Sequence, residues 1–320
     1  MTGEERGMYD GDRMPVGNAP CSWGLLEFEE FSSRPIGYEQ MLDELVETGY
    51  TGTELGDWAF MPTDPDQLRS ELKRRKLTML GAFVPVAFGD ADAHADGEMR
   101  ALRVARLLAR VSDVGDPRHD PFVVLADDNG KDRTRTLNAG RCTPDMMLEE
   151  ADWLTFAAGV ERIALAVLEE TGIPTVFHPH CAGFVEAPEE IDNLMKHTDP
   201  ALVGLVFDTG HYAFGSGGCE NVAEGISRFS DRIQYIHFKD CDGEVADRSR
   251  IDRWDYFTSL KHGIFCELGQ GCVDFPNVTA CLRGIGYRGW IVVEQDVLPG
   301  MGEPRESAER NRRFLHELGL

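Results

Sequence analysis

A closed (β/α)₈ barrel, an α/β fold in a single domain, is predicted by three features of this 320-residue sequence. Eight short apolar runs can be counted. Each is followed by a stretch with helical character. No GxGxxG follows the first run, which argues against the rival architecture, an open doubly wound sheet with a dinucleotide site.

The eight runs are Val16–Cys21, Gly52–Leu55, Thr78–Phe83, Phe122–Leu125, Thr175–His178, Val203–Asp208, Ile233–Phe238 and Trp290–Glu294. Several, such as FVVL, LVGLVFD and WIVVE, are almost continuously apolar, as parallel strands covered on both faces require. The intervening stretches carry helical stripes. YEQMLDELVETG places Met41, Leu42, Leu45 and Val46 on one face. DPDQLRSELKRRK opens with Asp64 as N-cap and Pro65 in the first turn. Gly49, Gly172 and Gly286 stand where helix C-caps are expected. Residues 1–15 are polar and Gly-rich and read as a loose arm ahead of a catalytic barrel over 16–320. Two long connections, one after Leu125 and one from Asp240 to Gly271, fall on the C-terminal face, where barrels build their chemistry.

The net charge of −24 opposes binding to nucleic acid or to an anionic membrane. It suits a neutral small molecule or a cation. No apolar run is long enough to span a bilayer. The eight cysteines are dispersed without a CxxC and no signal peptide is apparent, so reduced thiols and a cytoplasmic location are expected.

The chemistry sits at the ends of the later strands. TVFHPH gives His178 and His180; VFDTGH gives Asp208 and His211; YIHFKD gives His237, Lys239 and Asp240; IVVEQD gives Glu294 and Asp296. One histidine at a strand end is commonly structural, and an Asp before Thr-Gly can simply cap the next turn. Four consecutive strands ending this way is a different matter, because parallel barrel strands converge on one mouth. Carboxylates packed there would repel and take up protons unless a cation neutralised them. Asp, Glu and neutral His form a mixed nitrogen and oxygen shell suited to a divalent metal. Around the same mouth, Glu54 could bind a substrate hydroxyl or act as a base, or could form an ion pair fixing the rim. Trp23 and Trp58 could stack on a sugar ring or pack in the core. The glycines of FCELGQGCVDFP suggest a tight backbone turn near the site, with Glu267 a weaker candidate.

At these residues the sequence resembles the xylose-isomerase-like barrels of the sugar phosphate isomerase/epimerase superfamily, and within it the inosose dehydratase branch. The segments NAPCSWG, YTGTELG, FHPHCAGFVEAPEEIDNLM, VGLVFDTGHYAFG, IQYIHFKDCD, FCELGQGCVDFP and WIVVEQDVLPG carry the likeness. The resemblance implies a metal shell of Glu, Asp, His and Glu from strands five to eight. Asp208, His237 and Glu294 match three of these, while His178 stands where a Glu is usual. The fourth position is thus open to His178, His180, Glu186 or water, with His178 at the matching place. The missing Glu weakens an epimerase reading, since such epimerases use two glutamates as an acid/base pair.

The resemblance further implies a lyase of inositol catabolism, dehydrating a keto-cyclitol such as 2-keto-myo-inositol. Its metal would be Mn²⁺ or Co²⁺ first, with Zn²⁺, Fe²⁺ or Mg²⁺ as alternatives. An epimerase or isomerase on the same metal site is the alternative reaction. Glu294, His180, His211 and Lys239 are the acid/base candidates, and Glu54, Trp23, His211 and Lys239 the substrate-binding ones. The partner is a small polyhydroxylated carbonyl compound, and a homo-oligomer is compatible with barrels of this kind.

Overall fold

The computed structural model describes residues 14–24, 36–112, 120–297 and 302–320. Its strands are β1 (Val16–Asn18), β2 (Gly52–Glu54), β3 (Thr78–Val86), β4 (Phe122–Asp127), β5 (Thr175–Phe177), β6 (Val203–Asp208), β7 (Ile233–Phe238), β8 (Asp240–Cys241), β9 (Phe265–Cys266) and β10 (Ile291–Val293). Eight of them close a parallel barrel in the order β1-β10-β7-β6-β5-β4-β3-β2. The remaining two, β8 and β9, form a small antiparallel pair inside the long connection after β7. The predicted (β/α)₈ barrel is thus the observed fold. Of the expected N-terminal arm, residues 1–13 lie outside the described residues. Met14 is already buried, and the Pro15 carbonyl accepts the Ile291 amide at 2.9 Å, so the chain is packed into the barrel from there.

Side chains alternate across a strand, and that alternation sorts the barrel into two cores. Leu80, Val124, Val176, Val206, Tyr235 and Val292 fill the interior as one cluster. Their neighbours of opposite parity, such as Val123, Phe177, Leu205, Ile236 and Val293, join the larger layer between strands and helices. The interior parity continues upward. Two residues beyond Val176 comes His178; beyond Val206, Asp208; beyond Tyr235, His237 and then Lys239; beyond Val292, Glu294 and then Asp296. An apolar plug therefore floors the mouth, and the next inward positions are the polar ones.

Strand ends differ from the sequence reading in ways that have causes. The first run stops at Asn18, and a 3₁₀ turn, Pro20–Trp23, follows, since Pro20 has no amide proton to continue a ladder. The third strand runs on to Val86, paired with β4 through Asp127. Four short helices were not expected: Arg133–Leu137, Thr209–Gly215, Gly243–Asp252 and Tyr256–Lys261. They lack a long apolar stripe, and their signal is the cap. Asp132, Asp208, Asp242 and Asp255 each accept amide hydrogens from their first turns.

The loop after β5 is pinned by a buried ion pair. Arg135 Nη2 lies 2.6 Å from Glu190 Oε2, both fully buried, and the same oxygen accepts the amides of Glu186 and Ala187. One expectation is overturned. Cys219 and Cys272, 53 residues apart, form a disulfide, with Cα atoms 5.8 Å apart. Spacing along the chain could not reveal it, because the fold alone brings the two connections together. Among the described residues, no helix is long and apolar enough to cross a membrane. Removing one partner of the Arg135–Glu190 pair leaves an uncompensated buried charge. Glu190→Ala is therefore expected to lower unfolding stability by about 3–5 kcal/mol in urea titrations; a loss below about 0.5 kcal/mol, as at an ordinary surface site, would contradict this role.

Candidate metal and active site

Strand register assembles the mouth. Asp208 pairs with His237 across β6 and β7. Val293 pairs with Phe238, and the Glu294 amide donates to the Phe238 carbonyl at 3.0 Å, so Glu294 arrives one step above. The His178 amide bonds to the Leu125 carbonyl at 2.7 Å and holds the residue just past β5. One ligand atom from each of His178, Asp208, His237 and Glu294 lies within 4.8 Å of the others. His178 Nε2 is 3.8 Å from Asp208 Oδ2 and 3.8 Å from Glu294 Oε2; His237 Nδ1 is 3.8 Å from Asp208 Oδ2 and 2.6 Å from Glu294 Oε2.

One of these atoms, Asp208 Oδ2, is buried with no hydrogen-bond partner, and another, His237 Nδ1, is buried with Glu294 Oε2 before it. Their sister atoms are engaged. Asp208 Oδ1 accepts the His211 amide at 2.8 Å, so the residue caps its helix and still aims a second oxygen inward. His237 Nε2 donates to Glu54 Oε1 at 3.0 Å, and Tyr235 Oη donates to the same oxygen at 2.9 Å. That bond puts the ring's remaining nitrogen, Nδ1, toward the cluster. A histidine held at one nitrogen by a carboxylate, with the other turned into a cluster of donor atoms, is the arrangement that metal-binding imidazoles adopt. Two nitrogens and two oxygens converging, with Asp208 Oδ2 buried and unpartnered among them, fit a divalent cation.

A second group adjoins the first. Lys239 Nζ, 1% exposed, lies 3.1 Å from Glu294 Oε1, 3.4 Å from both Asp296 oxygens and 3.2 Å from His211 Nε2. Burial opposes its charge, but Asp296 and Glu294 outweigh that and hold its pKa well above the ordinary value. Burial likewise would raise the Glu294 carboxyl, yet Lys239 and His237 keep it well below the usual range. Burial depresses His180 to about 3 and His211 well below the ordinary imidazole value, so both rings are neutral. His180 Nδ1 donates to the Cys181 carbonyl at 2.7 Å, and the two rings stand 3.9 Å apart. A neutral imidazole accepts at one nitrogen only. The Cys181 amide, 3.3 Å from His211 Nδ1, and the Lys239 ammonium thus compete for the His211 lone pair.

The cleft above the four-residue cluster is lined by Cys21, Glu54, Asp57, Phe83, His178, His237 and Glu294, among others. The structure brings together His178, His180, Asp208, His211, His237, Lys239, Glu294 and Glu54. It does not bring Trp23, which is 1% exposed and donates from Nε1 to Glu44 Oε2 at 2.8 Å, away from the cleft. Trp58 stacks under Arg103. Glu186 is spent on the amides of Gly140 and Ala182, and Glu267 pairs outward with Arg310 and Ser307. Two neighbours had no role in the sequence reading: Cys21 and Tyr235; Asp296 was named there at its strand end. Tyr235 shares the inward parity of His237, so strand alternation was the signal that could have found it.

The family profile of the xylose isomerase-like TIM barrel matches residues 42–318. The chain belongs to this family. Among the barrel's relatives, the inosose dehydratase of Geobacillus kaustophilus (strain HTA426) is 31% identical over 303 residues, 95% of this chain and 94% of the relative. That of Lacticaseibacillus casei is 30% identical over 300 residues, 94% and 95% of the two chains. Solved structures share the barrel at low identity. The 3-keto-D-glucoside 4-epimerase from E. coli superposes with a TM-score of 0.66 at 16% identity, covering 96% of this chain and 99% of that one. The probable 3-DHS dehydratase from Bacillus anthracis gives 0.66 at 12%, covering 95% and 99%.

The geometry sets a pH dependence. Burial disfavours protonated His237, but Glu54 and Glu294 more than offset it and push its pKa up to about 10. In cation-free protein its proton therefore stabilises the fold. That contribution is complete below the ordinary imidazole pKa of about 6.5 and is lost as pH rises through about 10. Glu54→Gln removes part of it, so the stability gap between wild type and this variant should shrink across that window in urea unfolding with chelator present. A gap independent of pH would contradict the Glu54–His237 assignment.

Proposed function

We propose that this chain is a lyase that dehydrates inosose, a keto-cyclitol, at a divalent cation held by His178, Asp208, His237 and Glu294. The observation that carries the reading is the buried two-nitrogen, two-oxygen donor set with its orphaned Asp208 Oδ2. Relatives bearing the name inosose dehydratase along nearly the whole chain support the substrate. Mn²⁺ or Co²⁺ suits the mixed shell, as do Zn²⁺ and Fe²⁺.

When bound, the cation supplies Lewis-acid stabilisation of the negative charge that develops on the carbonyl oxygen. The chain's own groups handle the protons. Loss of water requires one proton to leave the carbon beside the carbonyl and one to reach the departing hydroxyl on the next carbon. The neutral imidazoles of His180 and His211 are the acceptors, because low pKa values leave their lone pairs unprotonated. Lys239 is the donor: it is charged, fully buried and steered by Glu294 and Asp296. Its 3.2 Å approach to His211 Nε2 lets the proton taken up at one group replace the one given by the other. Glu54 stays out of the proton path and orients His237 through Nε2.

The test is turnover of inosose in D₂O, followed by dione absorbance and by deuterium at the substrate's α-carbon. Wild type should form the dione, Asp208→Ala should form none, and Lys239→Met should turn over roughly 10²–10⁴-fold more slowly. Deuterium uptake without dione would instead establish an epimerase or isomerase on the same residues.

A further inference from the structure

Away from the mouth cluster, three sulfur atoms converge. Cys219 opens the 3₁₀ turn Cys219–Asn221, Cys241 lies in β8, and Cys272 precedes the helix Phe275–Gly284. Their sulfurs all lie within 4.8 Å of one another. Two are joined in the Cys219–Cys272 disulfide, and the third, Cys241, is a buried free thiol. A bridge that only stapled two loops would need no third sulfur against it.

The Cys241–Cys272 approach does not depend on that bridge. The buried Asp240 carboxylate gathers four amides, from Cys241, Gly269, Gly271 and Val273, at 2.8–3.1 Å. The Cys272 amide donates to the Cys241 carbonyl at 2.8 Å. At Gly271 an added Cβ would run into the Asp240 carboxylate and the Cys241 carbonyl, so only glycine lets the loop close this tightly. With the bridge opened, two sulfurs remain held side by side by backbone bonds, and Cys219 stays on the adjacent turn. The cavity beside them is walled by Glu220, Asp242, Glu244, Asp247 and Asp274 against a single Arg250, which favours a cation.

We propose that the reduced chain carries a second metal site here, three thiolates taking one thiophilic d¹⁰ cation, Zn²⁺, with water in the fourth position. A dithiol supplies the two electrons and two protons that convert the Cys219–Cys272 disulfide into two thiols, and is itself oxidised to its disulfide. Binding then releases three thiol protons, one from each cysteine, as three sulfur–metal bonds form. Tetrahedral Zn²⁺ with bonds of about 2.3 Å sets sulfurs roughly 3.8 Å apart. The exposed Cys272 can swing out from Cys219 to reach that spacing. Oxidation re-forms the bridge and expels the cation, so occupancy follows the thiol state.

Co²⁺ serves as the probe, because sulfur ligation gives it a near-ultraviolet charge-transfer band that nitrogen and oxygen ligands do not. The full chain is reduced with dithiothreitol, desalted anaerobically and titrated with Co²⁺, then back-titrated with Zn²⁺. Saturating Co²⁺ should develop the band, Zn²⁺ should bleach it, and the disulfide form should show none. Cys241→Ser and the exposed-site Cys272→Ser should each lower Co²⁺ affinity by more than the roughly 10–100-fold that loss of an outer-sphere partner costs. The band should persist in Asp208→Ala, which separates this site from the one at the barrel mouth. Folding of each variant is checked by circular dichroism, and Cys272→Ser decides the matter should Cys241→Ser unfold. A reduced protein that shows no sulfur band, or a band unaffected by Cys272→Ser, overturns the proposal.

Discussion

Asp208 and Glu294 bring two carboxylates together in the buried mouth of the barrel, with Glu54 and Asp296 close beside them. Charges of one sign at such separations, out of water, repel strongly and demand compensation. Lys239 supplies one positive charge, fixed between Glu294 and Asp296. His237 supplies another when protonated, held by Glu54 and Glu294. One lysine and two titratable imidazoles, His178 and His237, face four carboxylates. A divalent cation among His178, Asp208, His237 and Glu294 would complete the neutralisation and release the proton from His237. The electrostatic demand and the orphaned Asp208 Oδ2 thus point to the same place.

The barrel meets this demand by simple means. Parallel strands of alternating parity stack an apolar plug of Val124, Val176, Val206 and Val292 beneath the polar layer. Water is kept from below, so the ionic groups interact in a medium of low polarity and cannot relax by hydration. The register of β6 against β7 fixes Asp208 beside His237, and backbone bonds beyond the strands fix His178 and Glu294. Outside the mouth cluster, Asp240 does for the seventh loop what Glu190 and Arg135 do for the fifth. One buried carboxylate gathers amides that would otherwise lack partners.

Much of this was readable from the residues. The strand count, the long connections after β4 and β7, and the inward His, Asp, Lys and Glu all follow from apolar runs ending in polar residues. The clustering of His178 with Asp208, His237 and Glu294 follows once the strands are parallel and adjacent. What escaped was whatever depends on side-chain direction or on contacts between distant loops. Trp23 turns to Glu44 because the 3₁₀ turn at Pro20 rotates it out of the cleft. Glu54 faces His237 across the barrel, a pairing 183 residues apart that no local pattern encodes. The Cys219–Cys272 bridge joins the connections after β6 and β7, which only the folded barrel brings together and cysteine spacing does not reveal. The short Asp-capped helices were hidden because a single cap residue is a weak signal without an apolar stripe.

The central claim is that four strand-end side chains grip one divalent ion. Anomalous diffraction from crystals soaked in Mn²⁺ addresses it directly. The account predicts a single strong peak in the mouth, with His178 Nε2, Asp208 Oδ2, His237 Nδ1 and Glu294 Oε2 all within bonding distance. A mouth without a peak at saturating Mn²⁺, or a peak bonded to other side chains, would contradict it.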